Sequence, residues 1–424
     1  MLRGAVKWSR REKEVRKRRE GRKEKTLPAW PSWLPCLQGT GTGVCGVCAF
    51  LPRLSHASFL LAAFFSCPVP FSSLILSMDS HSATDIFLGV DVGSGSSRAA
   101  LITATGKLLA IHSTPHSTSR PAPDYFEQSS DEIWSAICTS VKAALAIARV
   151  DPASVKGIGF DATCSLVAYT SGTPEFARPV SISPSSDFED HNRNIIMWCD
   201  HRAKDQAIRI TETRHEILRN IGGTMSLEME LPKTLWLLEN MPKEKWQNIG
   251  RLFDLPDFLT WKATGDYFPS RCSVVCKWCY KAGPESLANG RDGSQDRKQG
   301  WPADFLRQIG LGEIADEDCQ KLCGIGNSEQ RVHFAGEHIG GLTEKAAEEL
   351  GLVPGTAVGG AVIDAYAGAI GTLGAKLNGK QPTVDEASKR ISMICGTSSC
   401  HLAMSNKPIF VNGRYSFCGW LLVT

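Results

Sequence analysis

The stretch Phe87-Leu88-Gly89-Val90-Asp91-Val92-Gly93-Ser94-Gly95-Ser96-Ser97-Arg98-Ala99-Ala100-Leu101-Ile102 decides how the rest of the chain is read. An apolar run ends on an acid, small residues follow, and a second apolar run begins, the pattern of two strands joined by a tight turn. Gly93 and Gly95 lack a Cβ, so the backbone there can take φ > 0 and bring its N–H groups close to a phosphate, with Asp91 placed to hold a hydrated Mg²⁺. An ordinary glycine-rich hairpin competes with that reading, because short glycine motifs arise often by chance.

Composition limits the function classes. The chain has 424 residues, 42% hydrophobic and 21% charged, the profile of a globular protein long enough for two or three domains. Its formal charge of +3 comes from one end. Residues 1–25 hold 12 Lys+Arg against 4 Glu, a net of +8, and the remainder carries 35 basic against 40 acidic residues, a net of −5. The body therefore lacks the basic footprint of a nucleic-acid binder.

Fifteen cysteines without regular spacing fit reduced thiols better than a disulfide framework. Cys272-x3-Cys276-x2-Cys279 has the spacing of a three-thiolate iron–sulfur motif, but a buried helix or strand that happens to carry Cys is the favoured reading. Cys45-x2-Cys48 and Cys319-x3-Cys323 lack the matching second half of a zinc site. The basic run Arg16-Lys17-Arg18-Arg19 and the apolar stretch from Phe59 to Leu76, broken by Pro68 and Pro70, match neither a secretory signal nor a membrane span. Residues 1–77 are expected to be a disordered extension or a misassigned start, with the compact body beginning at Met78 and no membrane or nucleic-acid partner.

From Met78 onward the pattern is regular. Ser129 to Glu132 opens a helix with a capping box, and Ile133, Ile137, Val141 and Leu145 mark one apolar face. Lys156 to Ser165 reads as a buried strand ending in small polar residues, so strand, helix and strand imply parallel α/β architecture. Ile195-Ile196-Met197-Trp198-Cys199-Asp200-His201-Arg202 places an indole, an acid and a guanidinium after a short strand. They suit stacking on a sugar face and bonding to vicinal hydroxyls, with a surface ion pair as the alternative. Glu230 to Trp236 starts a helix with Pro232 in its first turn and Lys233 free to point into a cleft. Phe253 to Gly265 reads as a helix closing on a glycine, its acids as suited to capping as to ligand binding. Val353 to Gly368 reads as a strand running into a small-residue helix, with Asp364 at the sheet edge, where it could also serve as an N-cap. Ile394 to Cys400 repeats the strand, glycine and hydroxyl pattern of the first turn.

Asp91-x-Gly93-x-Gly95, Trp198-Cys199-Asp200-His201-Arg202, Pro232-Lys233-x-x-Trp236, Asp254-x-x-Asp257-Phe258-Leu259-x-x-x-Ala263-Thr264-Gly265, Gly360-x3-Asp364 and Gly396-Thr397-Ser398, in this order, resemble the FGGY carbohydrate kinases. Trp198 to Ala203 and Asp161 to Cys164 fit the ribulokinase-like branch better than glycerol kinases. The resemblance runs from about residue 86 to about 412. It implies an α/β, actin-like (ribonuclease H-like) two-domain sugar kinase fold. The sugar-binding domain would span 78–375, and 376–424 would be the truncated start of the nucleotide domain.

The same resemblance supplies roles. Asp364 would be the general base and Asp91 the Mg²⁺ holder. Gly93, Ser94, Gly95, Ser96 and Arg98, with Gly396, Thr397 and Ser398, would cradle the ATP phosphates. Asp161, Thr163, Cys164, Trp198, Asp200, His201, Arg202 and Lys233 would line the sugar site. The expected activity is ATP- and Mg²⁺-dependent phosphorylation of a ketopentose, D-ribulose, at its terminal hydroxyl, in the cytoplasm and with a homodimer allowed. The sequence ends at Thr424, before the segments that hold adenosine in the family, so a catalytically inactive sugar-binding or scaffold remnant is the alternative.

Overall fold

In a computed structural model of the chain, the structure describes residues 85–267, 269–281, 300–323 and 332–405. The Phe59–Leu76 stretch, the basic run and Cys45-x2-Cys48 lie outside them. Strands β1 (Ile86–Val92), β2 (Ser96–Thr103) and β3 (Leu108–Pro115) pair antiparallel in succession. Helix α1 (Ser130–Ala148) then crosses over to β5 (Val155–Ala162), which runs parallel to β1 on its other side. β10 (Ala357–Gly359) and β11 (Val362–Ile363) also pair parallel with β5, and β9 (His338–Gly341) closes the far edge antiparallel to β10. The order β3-β2-β1-β5-β10-β9, with β11 against β5, makes a seven-stranded mixed sheet of the ribonuclease H-like kind.

Alternation along β1 builds the principal core. Leu88, Val90 and Val92 point to the helix-covered face. They meet Ile133, Ile137, Val141 and Leu145, the α1 face expected from helical spacing, and burial of each such side chain contributes roughly 1.5–3 kcal/mol. α3 (Leu255–Thr264) and α5 (Glu344–Leu350) complete this layer, with Trp261 stacked on Phe253 at 5.0 Å. Ser129 does cap α1 by accepting from Glu132 N at 3.3 Å. The reciprocal half of the expected capping box is absent, because the Glu132 carboxylate accepts from Ser117 N and Oγ instead, at 2.8 and 2.6 Å.

A second, four-stranded antiparallel sheet, β4 (Glu127–Gln128), β7 (Ile195–Ile196), β6 (Leu166–Tyr169) and β8 (Arg251–Asp254), carries a second core with α2 (Glu230–Asn240). The Cys272 segment is helix α4 (Arg271–Trp278), not a cluster site. Cys272 and Cys276 pack in a core around Val362, Ile363 and Tyr366, whereas Cys279, in the left-handed C-cap position, packs in the core beneath the second sheet. No group of three His, Cys, Asp or Glu able to hold a metal is found among the described residues, and no described helix is long and apolar enough to cross a membrane. Last come α6 (Asp364–Leu373) and the hairpin β12 (Ile391–Cys395) and β13 (Ser399–Ala403), a two-stranded sheet of its own among the described strands.

Candidate active site

Three carboxylates converge where the parallel strands end. In register, Asp91 of β1 stands beside Asp161 of β5, and Asp161 stands beside Val362 of β11, two residues before Asp364. Strand carboxyl ends are the ligand edge of an open α/β sheet. The Asp161 carboxyl is enclosed, and burial first, then Asp91 and Asp364, push it well above the usual carboxylate range. Protonated, it can share a hydrogen bond with Asp91, and its Oδ1 is a buried acceptor with no partner in the protein.

Asp364 opens α6, with Ile363 as the N-cap residue. Its Oδ1 accepts from Ala365 N at 2.6 Å. Burial raises this carboxyl to about 6; the Ala365 N–H draws it down and Asp91 pushes it up. The helix N-terminus favours the ionised form. Asp364 is therefore a partly solvated carboxylate poised near neutral pH rather than a cap.

The β1–β2 turn differs from expectation in one respect. Neither Gly93 nor Gly95 has positive φ. The turn is closed by Gly93 N donating to Ser96 O at 3.0 Å, and its value lies in open space: a Cβ on Gly95 would meet nothing within 4 Å. Arg98 Nη1 pairs with Asp91 Oδ2 at 2.6 Å across the hairpin. The turn is fastened to the second sheet from two sides. Trp198 Nε1 donates to Ser94 Oγ at 3.0 Å, and Gln128 Nε2 donates to Ser94 O at 2.9 Å.

Asp200 and Arg202 are fully enclosed and bonded to each other. Arg202 donates through Nη2 to Asp200 Oδ2 at 2.7 Å and to Glu127 Oε1 at 2.9 Å, and its guanidinium lies over the rings of Tyr125 and Trp236. Asp200 also accepts from Phe126 N at 2.7 Å. The pair thus braces the wall behind Trp198. His201 is exposed beside it, its N–H donating to Asp124 O. Thr163 and Cys164 are buried at the exit of β5, Thr163 N donating to Val92 O at 3.0 Å.

Lys233 is fully buried rather than open to a cleft, its Nζ 3.3 Å from Glu230 Oε2. Burial lifts Glu230 to about 7 in spite of that ammonium, and Glu230 Oε1 has no protein partner. Asp254 is the N-cap of α3, accepting from Leu255 N, and is pushed well above its usual range by burial and by Glu230. Gly396, Thr397 and Ser398 form the exposed tip of the β12–β13 hairpin, closed by Gly396 N donating to Ser398 O at 2.8 Å. The hairpin lies against α6: Leu402 packs on the core beneath Asp364, and Cys400 feels its charge.

Sequence reasoning missed Glu127 and Glu230. Glu230 left a signal, the Glu-x-x-Lys spacing that places two side chains one helical turn apart. Glu127 left none, because its partner lies 75 positions away.

A family model described as the N-terminal domain of the FGGY family of carbohydrate kinases matches residues 86–168. The chain is 44% identical over 330 residues to an FGGY carbohydrate kinase domain-containing protein of Xenopus laevis, covering 77% of this chain and 54% of that protein. It is 39% identical over 337 residues to a D-ribulokinase of Saccharomyces cerevisiae, covering 77% of this chain and 45% of the yeast protein. The chain thus spans about half the length of the curated relatives it matches. Its fold is similar to a gluconate kinase from Lactobacillus acidophilus, with a TM-score of 0.54 at 16% identity over 76% of this chain and 55% of that one. A xylulose kinase from Bifidobacterium adolescentis gives a TM-score of 0.51 at 16% identity, covering 78% and 61%. Residues 86–168 match the N-terminal domain of the FGGY carbohydrate kinases, and with its actin-like α/β sheet, the six ordered motifs and these relatives the chain is similar to that family over the rest of its described length.

Proposed function

We propose that the protein transfers the terminal phosphoryl group of ATP to the terminal hydroxyl of a ketopentose, D-ribulose. The observation that carries this reading is the meeting of Asp91, Asp161 and Asp364 at the ends of three adjacent parallel strands, with Asp364 held at about 6. A carboxylate in that range is ionised at pH 7 and still basic enough to take the proton of a sugar hydroxyl as it attacks. The yeast relative is a D-ribulokinase, which supports ribulose over other sugars.

The residues divide by side. Asp364 receives the hydroxyl proton. Thr163, Trp198 and the enclosed Lys233–Glu230 pair stand on the sugar side, with Asp200 and Arg202 bracing the wall. The turns at 93–98 and 396–398 face the phosphates. Mg²⁺ fits the acid cluster as a lightly held ion: Mg²⁺ keeps several waters and binds through one or two carboxylates plus phosphates, so Asp91 would hold it without a full protein cage, joined by the unpartnered Asp161 Oδ1 where the cation draws that raised carboxyl back to its ionised form. When bound, it neutralises charge on the phosphates. The division into a sugar domain to about residue 375 and a nucleotide domain after it, and a cytoplasmic setting, belong to this same reading.

The deciding measurement is ADP release by the full chain with Mg-ATP against a panel of ketopentoses and polyols, with Asp364→Ala as control. Turnover on ribulose that falls about 10²–10⁴-fold in the variant is expected. Turnover that survives in Asp364→Ala, or that appears only with another sugar class, would overturn the assignment.

A further inference from the structure

Gln128 lies behind the β1–β2 turn, in β4 and only 1% exposed. Its Nε2 is 2.9 Å from Ser94 O, 3.1 Å from Thr118 Oγ1 and 3.3 Å from His116 Nδ1, so three acceptors compete for two amide protons. Ser94 O is the nearest and, as a carbonyl, can only accept, which fixes the way the carboxamide faces. The Oε1 of the same group is buried with no hydrogen-bond partner among the described residues, so Gln128 is turned to serve Ser94 rather than its own oxygen. The next carbonyl is drawn the same way, His116 N donating to Gly95 O at 3.2 Å. A trans peptide is planar with its C=O and N–H on opposite sides, and no described peptide bond is cis. Drawing Ser94 O toward Gln128 therefore turns the Gly95 N–H away from it. That N–H has no acceptor among the described residues, and the space beside Gly95 is open, since a Cβ there would meet nothing within 4 Å. Ser94 is also held by its side chain, Oγ accepting from Trp198 Nε1 at 3.0 Å.

We propose that Gln128 is a positioning residue for phosphoryl transfer, holding the Ser94–Gly95 peptide with its N–H presented to a phosphate oxygen. The inference rests on the reading of the 93–98 turn as facing the phosphates. Successive backbone N–H groups bind an anion when they point together, and a glycine turn does not by itself fix their direction. The Gln128 amide supplies that direction from the second sheet, so the turn is set before a phosphate arrives and reorganises little on binding. Without the donor, the Ser94 carbonyl and the Gly95 N–H are free to exchange sides, which puts an acceptor where a phosphate needs a donor.

Magnesium pyrophosphate, which carries the phosphate chemistry of ATP without its adenosine, is titrated into the full chain labelled with ¹⁵N-glycine. The Gly95 amide signal is assigned with Gly95→Ala, which the open space there tolerates. In the parent this signal is expected to shift on binding. Gln128→Met keeps the length and burial of the side chain and removes the donor. At saturating pyrophosphate it is expected to lose most of the Gly95 shift, while the amides of Gly265 and Gly351, the stops of α3 and α5, stay where they are in the parent. Binding should weaken about tenfold, the order of one lost hydrogen bond to a charged group. A full Gly95 shift in Gln128→Met overturns the proposal whatever the affinity. Displacement of Gly265 and Gly351 also overturns it, because Gln128 would then support the fold at large. A Gly95 amide that never responds in the parent overturns the reading of the turn itself, and the proposal with it, a result distinct from a response that the variant shares. If Gln128→Met does not melt cooperatively, Gln128→Asn, one methylene shorter and unable to reach Ser94 O, decides by the same signals. The titration needs no turnover, so it also answers for a chain that fails the sugar panel.

Discussion

In its proposed role, Asp364 is a residue that trades stability for chemistry. Its folded midpoint of about 6 lies above the ordinary 3.8, so the native state binds the extra proton between those values and loses stability as pH rises through them. The cost is fully present at pH 7–8 and absent below about pH 4. Asp364→Asn is expected to be more stable than the parent at pH 8 by roughly 1–2 kcal/mol, less than the full shift implies because water reaches the group and the α6 N-terminus loses its anion. Chemical denaturation at pH 8 and pH 4 checks it, and the difference should vanish at the lower pH. An advantage equal at both values would mean that repacking, not charge, separates the two proteins. Other residues were less legible. Asp200 and Arg202 were visible as polar groups after a short strand, but Glu127 and the rings of Tyr125 and Trp236 come from distant positions. A lone ion pair and a saturated buried network have the same sequence.

At the scale of elements, periodicity carried most of the information. The β1–β2 hairpin, the α1 face and the Gly265 stop of α3, where φ is 81°, all follow from local pattern and propensity. The capping box failed because Glu132 had a rival partner in Ser117, which no local rule contains. Positive φ at Gly93 and Gly95 failed because a glycine permits that conformation without requiring it. Gly360 is different: its role is close approach. Gly336 N donates to Gly360 O at 2.8 Å, Gly360 N donates to Glu337 O at 2.7 Å, and a Cβ there would stand 2.4 Å from Phe334 O. Backbone, not a flexible side chain, fills that space, so relief requires moving the segment that leads into β11 and Asp364. Gly360→Ala is expected to cost about 1–3 kcal/mol and to lower turnover more than sugar affinity. Thermal melts with a kcat against KM comparison would check this. A variant with the parent's melting temperature and kcat would show that the strand has slack the contact does not suggest.

Across the whole molecule, the candidate site depends on a parallel sheet that aligns positions 91, 161 and 364. Each acid is locally unremarkable in sequence, and the register that joins them depends on long-range pairing that no window of residues reveals. Motif order could supply that alignment by resemblance, which is why the family was readable before the geometry was. The proposed sugar side makes the last prediction. Lys233, Glu230 and Asp254 form an enclosed group with unpartnered acceptors at Glu230 Oε1 and Asp254 Oδ2, an arrangement costly in the free protein and suited to donors from a polyhydroxylated ligand. Ketopentose at about 100 times its dissociation constant should therefore stabilise the fold by about 2.7 kcal/mol, a rise of roughly 5 °C in melting temperature, without ATP. Lys233→Met should lose most of that rise, with its own ligand-free melt as baseline. Glu230, already at about 7, can take a proton when the ammonium is removed, so the variant is expected to remain folded. A ligand-induced rise equal in both proteins would place the sugar away from Lys233, on the Trp198 side of the turn.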